Sequence, residues 1–154
     1  MPAPTISHLI CTTALIILIF VMPFFYAMVV DNIKTDMIRR ELKEIADYVS
    51  NTLANLYFLV NSTDYFNVQL TKELIYMPSS VENVQFIVKI EGEGGTASNV
   101  VAYLKDRPSV LAEAWVAPGL KMSSKNFVES GRGLVIAGCN RTYDGVFVWV
   151  DYRY

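Results

Sequence analysis

Charge is missing from the start of this sequence: Met1 to Val30 contains no Asp, Glu, Lys or Arg. All 13 basic and 15 acidic residues fall from Asp31 onward. Histidine and cysteine are scarce as well, with one His (His8) and two Cys (Cys11 and Cys139) in 154 residues. A zinc site takes about four nitrogen or sulfur ligands, so neither a metal nor another cofactor is expected. Cys11 lies in an apolar run and Cys139 near the other end, so the two give no disulfide framework. The net charge is −2, with no basic stripe carrying interleaved aromatics, which argues against a nucleic-acid partner.

Catalytic patterns are also missing. Beyond the apolar run there is no His, so a Ser/His/Asp arrangement is excluded there. No G-x-S-x-G, P-loop or G-x-G-x-x-G occurs, and Gly131-Arg132-Gly133 lacks the remainder of any phosphate-binding pattern. Glu113 and Glu129 stand apart in sequence, and both read as solvated surface carboxylates. A glycosidase-like pairing is spatial and is not legible here. The chain is expected not to be an enzyme.

What is present begins with Leu9 to Val30, LICTTALIILIFVMPFFYAMVV. Twenty-two helical residues rise about 33 Å, the thickness of a bilayer's hydrocarbon core. Thr12 and Thr13 can return their hydroxyls to carbonyls one turn back. Pro23 removes one backbone donor and predicts a kink. Phe24, Phe25 and Tyr26 suit an interfacial aromatic belt. A cleaved signal peptide needs a basic start and a shorter run, and a core helix needs cover on all sides. The expected reading is a transmembrane anchor over residues 1–30, with the lipid bilayer as a partner.

A helical period continues through residues 31–60. Ile38, Leu42, Ile45, Val49, Leu53, Leu56 and Val60 recur at spacings of 4, 3, 4, 4, 3 and 4, giving one apolar stripe. Arg39, Arg40, Lys43, Glu44, Asp47, Ser50 and Asn51 form the other face. No Pro or Gly interrupts this stretch, so anchor and stem are expected to form one long helix. The stripe is either the face packed on the following sheet or a seam joining another helix. Its lower half, Ile38, Leu42, Ile45 and Val49, is expected to be an assembly surface if the sheet does not reach it. The upper stripe packs on the chain's own domain.

Asn61-Ser62-Thr63-Asp64 has turn chemistry, and residues 61–154 have strand character. Strands are predicted within 68–77, 84–90, 99–105, 110–117, 134–137 and 146–152. Gly92-Glu93-Gly94-Gly95 reads as a turn, and Asp144-Gly145 as the turn of a closing hairpin. The expected fold class is α+β: a long N-terminal helix followed by a small antiparallel β-sheet or sandwich. Trp115 and Trp149 read as core or cross-strand aromatics, with a sugar-binding platform as the rival. Asp151 to Tyr154 is an edge or an interaction tail.

Orientation stays open on the residues alone. Lys34, Arg39, Arg40 and Lys43 follow the apolar run closely and favour a cytoplasmic domain. Asn61-Ser62-Thr63 and Asn140-Arg141-Thr142 are N-glycosylation sequons and favour an outside one.

The layout resembles type IV pilin-like proteins of the archaeal branch, which serve pili and archaella. The resemblance rests on the apolar helix running into an amphipathic stem and then a β domain. It rests also on Thr5-Ile6-Ser7-His8-Leu9-Ile10, like the start of a mature archaeal pilin helix. A third feature is Ile75-Tyr76-Met77-Pro78-Ser79-Ser80-Val81 followed by Phe86-Ile87-Val88, like a strand, turn and strand of those β domains. The helix lacks the early glutamate of bacterial major pilins, and no basic leader precedes it. An unprocessed accessory or stator-like subunit is therefore the expected member. The resemblance implies a cell-membrane protein with its distal domain outside the cytoplasm. Its partners would be other pilin-like or filament-assembly proteins, or itself. The alternative is a membrane-tethered extracytoplasmic ligand-binding or sensing domain. A sensor is expected to continue into an output domain, and none is read here.

Overall fold

The computed structural model describes residues 3–153; Met1, Pro2 and Tyr154, the last of the expected tail, lie outside them. One helix, α1, runs from Ala3 to Asn61 with Pro23 inside it. Pro23 lacks an N–H, yet the helix continues through it, so anchor and stem share one element as their composition predicts. α1 ends where turn chemistry begins. Ser62 N donates to Phe58 O at 3.0 Å, and the hydroxyls of Ser62 and Thr63 return to Leu59 O and Val60 O. Arg141, far along the chain, donates through Nη1 to Val60 O, Asn61 O and Thr63 O at 3.3, 3.3 and 2.6 Å. A tertiary cation thus satisfies the last carbonyls of the helix.

Eight strands follow: β1 (Val68–Glu73), β2 (Phe86–Glu91), β3 (Asn99–Leu104), β4 (Leu111–Trp115), β5 (Leu120–Met122), β6 (Phe127–Glu129), β7 (Val135–Thr142) and β8 (Gly145–Tyr152). They form two four-stranded sheets, ordered β1-β7-β8-β5 and β4-β3-β2-β6. All pairings are antiparallel except β5 with β8. The fold is α+β. The sheets meet along β8. Ser123 N donates to Val148 O, Val150 N to Lys125 O, and the Tyr152 hydroxyl bridges Glu129 N and O.

The chain divides into two units, residues 1–37 and Ile38–Tyr154. Within the second, one core holds the helix stripe and the inner faces of both sheets: Leu42, Val49, Leu53 and Val60 with Phe86, Val88, Ile90, Val100, Ala102, Ala137, Cys139, Val148 and Val150. β2 alternates as its sequence predicts, with Phe86, Val88 and Ile90 buried and Ile87 and Lys89 half-buried. The closing hairpin turns one residue earlier than Asp144-Gly145 suggests. Thr142 pairs with Gly145, so the loop is Tyr143-Asp144, and Gly145 opens β8 at φ 134°, where glycine is favoured. β7 also continues past Gly138 to Thr142, where the sequence suggests an end.

Candidate membrane anchor and interaction surfaces

Within the first unit, α1 is apolar on every side from Leu9 to Val30. Leu15 to Phe20 are all more than half exposed, Phe20 reaching 76 %. Exposed carbon on this scale is unfavourable in water, whereas hydrocarbon accepts it. Both threonine hydroxyls in this stretch are satisfied internally: Thr12 Oγ1 donates to His8 O (2.9 Å) and Leu9 O (3.0 Å), and Thr13 Oγ1 to Leu9 O (2.8 Å). The helix is long and apolar enough to cross a membrane.

At the lower stripe the structure departs from expectation, because the sheet reaches it. Leu42 and Val49 are fully buried, Ile45 nearly so, and Ile38 packs partly against the same core. These side chains serve the domain's own interior and are not an open surface. Ser50, placed on the polar face by its period, is buried too, donating to Trp115 O. Lys43 donates to Glu113 O and pairs with Asp47, both at 2.7 Å. The edge strand β4 therefore lies along the helix flank.

Glu129 is a second correction. It is 7 % exposed, with its carboxylate between Lys105 and Arg132, whose Nε lies at 2.7 Å. The hydrogen bond from Lys105 holds its pKa below the usual glutamate value, against burial, with Arg132 adding to the lowering. Ser130 beside it is buried, its Oγ accepting from Phe86 N at 2.9 Å. Asp151 is held low likewise, by Lys125 first and then by Tyr152 N, again against burial. Glu113, in contrast, stays exposed and accepts from Asn99 Nδ2 at 3.1 Å.

Glu113 and Glu129 sit on opposite edge strands of the second sheet. Three strand spacings of about 4.8 Å separate these strands, more than the ~5–9.5 Å that glycoside hydrolysis uses. Among the described residues no group of three His, Cys, Asp or Glu is placed to hold a metal ion. Both cysteines are free, and burial pushes the Cys139 thiol up to about 11.

The sequons have different settings. Asn61 is exposed at the helix end, whereas Asn140 is half-buried on the central strand β7. Trp115 corrects another expectation: at 82 % exposed it is not core. Trp149 is the cross-strand aromatic that the sequence predicts, its indole lying over Gly138 on β7. Further aromatic surface was not legible in sequence. Phe66 stacks on Tyr143 with centroids 4.8 Å apart, and Arg141 caps the Phe66 ring at 5.4 Å. Tyr48 meets the exposed Tyr76 edge-on at 6.1 Å beside Glu41 and Glu44. Each pair joins residues far apart in the chain, so no local spacing signals it. Compared with protein-family models, curated proteins and solved structures, the chain matches none of them.

Proposed function

We propose that this chain is a membrane-anchored, pilin-like structural or accessory subunit of an archaeal type IV pilus-like surface filament. The observation that carries the proposal is the single helix α1. Its first half is bare and apolar on all sides, and its second half is the spine of a β domain's core. A helix that serves lipid at one end and a domain at the other suits a subunit working by packing rather than by chemistry. Assembly would use surfaces other than the buried stripe. Met37 and Ile33 are exposed apolar positions on α1, and Trp115, Phe66 and Tyr143 are exposed aromatics on the domain.

In this proposal the domain faces outside the cytoplasm, in keeping with the exposed sequon at Asn61. The test has two arms. Protease added to intact cells is expected to cut within residues 61–153, and cysteines at Met37 and Trp115 are expected to cross-link to filament proteins or to a second copy. Full protection in intact cells with cleavage after lysis overturns the orientation. Absence of every cross-link, together with absence from sheared filaments, overturns the filament role.

A further inference from the structure

The outer face of the first sheet carries an unusual arrangement around Trp149. β7 and β8 pair so that Gly138 stands opposite Trp149 and Asn140 opposite Phe147, while Gln69 of β1 stands opposite Asn140. These residues alternate with Leu70, Cys139, Val148 and Val150, which turn to the core. A methyl group on Gly138 would lie 2.1 Å from the indole Cε2 and 2.2 Å from Cζ2. Only glycine there lets the indole rest on the backbone of β7 as a plate. Phe147 is half-buried beside it, with the Lys121 ammonium 5.7 Å from its ring centroid. Gln69, Ser123, Lys125, Asn140, Phe147 and Trp149 line a cavity of about 300 Å³, at the small end of the ~300–1,000 Å³ typical of ligand sites.

The polar groups around the plate are uncommitted. Among the described residues the side chains of Gln69, Asn140 and Ser123, and the indole N–H, make no hydrogen bond within the protein. Each amide offers two donors and a two-lone-pair acceptor, and the hydroxyl offers both roles. Lys125 paired with Asp151 closes one side of the rim.

A flat apolar plate with a negative π face, fringed by groups that both donate and accept, is complementary to one kind of molecule. A pyranose has a C–H face that lies on an aromatic ring and a rim of hydroxyls that each donate and accept. An apolar protein segment would leave these amides unpaired at a cost. A nucleotide would want cations for its phosphate, whereas Lys125 is held by Asp151 and Lys121 donates to Asp144 O. We infer that this face is a saccharide-binding site, with Trp149 as the stacking plate and Gln69, Asn140 and Ser123 as hydroxyl partners. The inference holds whether or not the chain joins a filament.

The protein has two tryptophans, so Trp115→Phe leaves Trp149 as the sole reporter. The full chain carrying that change is made in a host without N-glycosylation, because a glycan on Asn140 would root in the same cavity. It is held in a zwitterionic, sugar-free detergent. Neutral and uronic-acid oligosaccharides are screened on an array, and hits are titrated against Trp149 emission. At least one saccharide is expected to shift the emission saturably. Asn140→Ala is expected to weaken it about tenfold, in keeping with one lost hydrogen-bonding group. Gly138→Ala is expected to abolish binding by lifting the indole, although it contacts no sugar. If that variant does not fold, Gln69→Ala at the exposed edge strand serves in its place, with the same tenfold loss. The inference is overturned if no saccharide shifts the emission, or if calorimetry finds binding unchanged in Trp149→Leu. Saturation by nucleotides or peptides alone overturns it as well.

Discussion

Two stretches of one helix, residues 9–30 and residues 38–60, are both rich in aliphatic side chains and meet opposite fates. In the first, apolar residues occupy every direction around the axis, and all the described side chains but Val30 are exposed. In the second they recur every three or four residues, and the stripe from Leu42 to Val60 is buried under two sheets. The difference lies in arrangement rather than in amount. An all-round apolar helix has no polar face to leave in water and so calls for lipid; a striped one calls for a single covering layer.

This comparison can be broken from either side. The largest effect is expected in the striped half. Leu53→Ala removes a fully buried side chain and is expected to destabilise the domain by about 2–5 kcal/mol. Thermal unfolding measures this loss, while membrane partition stays unchanged. A variant that leaves the membrane but melts normally would reverse the assignment of the two halves. Next, Ile17→Arg in the apolar half is expected to impair insertion by roughly 2.5–3.5 kcal/mol, read as transfer from the membrane to the soluble fraction. The domain's melting temperature should not move. Recovery of the wild-type chain in the soluble fraction without detergent would sink the anchor.

A smaller effect concerns pH. Glu129 and Asp151 have folded pKa values below their ordinary values of 4.5 and 3.8. A lowered carboxylate pKa adds stability that is fully present above the ordinary value and is lost as pH falls through the folded one. The melting temperature of wild type is therefore expected to hold above about pH 5 and to drop below about pH 4. Glu129→Gln should flatten part of that drop, and an unchanged pH profile would mean that the Lys105 and Arg132 contacts do not couple to folding. Cys139 sharpens the picture in another way. Being buried with its pKa raised to about 11, it should react with a thiol reagent only when the domain opens. With the exposed Cys11 replaced by serine, labelling of Cys139 at neutral pH in the folded state would contradict its burial. The smallest effect is Trp115→Phe, expected within about 0.5 kcal/mol of neutral because the ring is exposed.

Parts of the molecule differed in how plainly they could be read. β2 was legible because Val84, Phe86, Val88 and Ile90 alternate with more polar neighbours over enough residues to show the period. β5 and β6 were not, because three residues each are too few for any period. The β5–β8 pairing is parallel and joins strands from separate parts of the chain, so no turn chemistry announces it. In the candidate sites, Trp149 was readable as a cross-strand aromatic, but its dependence on Gly138 needs the register of β7 and β8. Glu129 looked like any lone carboxylate until Lys105 and Arg132 were brought to it.

By itself the sequence determined that anchor and stem form one long helix, the division between its all-round and striped halves, and the α+β class. These follow from period and composition, which act between near neighbours. The tertiary structure alone decided how far down the stripe the sheet reaches, which of two tryptophans faces water and which carboxylate is buried. It also decided that Gln69, Asn140, Ser123 and Trp149 share one cavity. Each of these depends on strand register, where a shift of one residue turns every side chain to the other face.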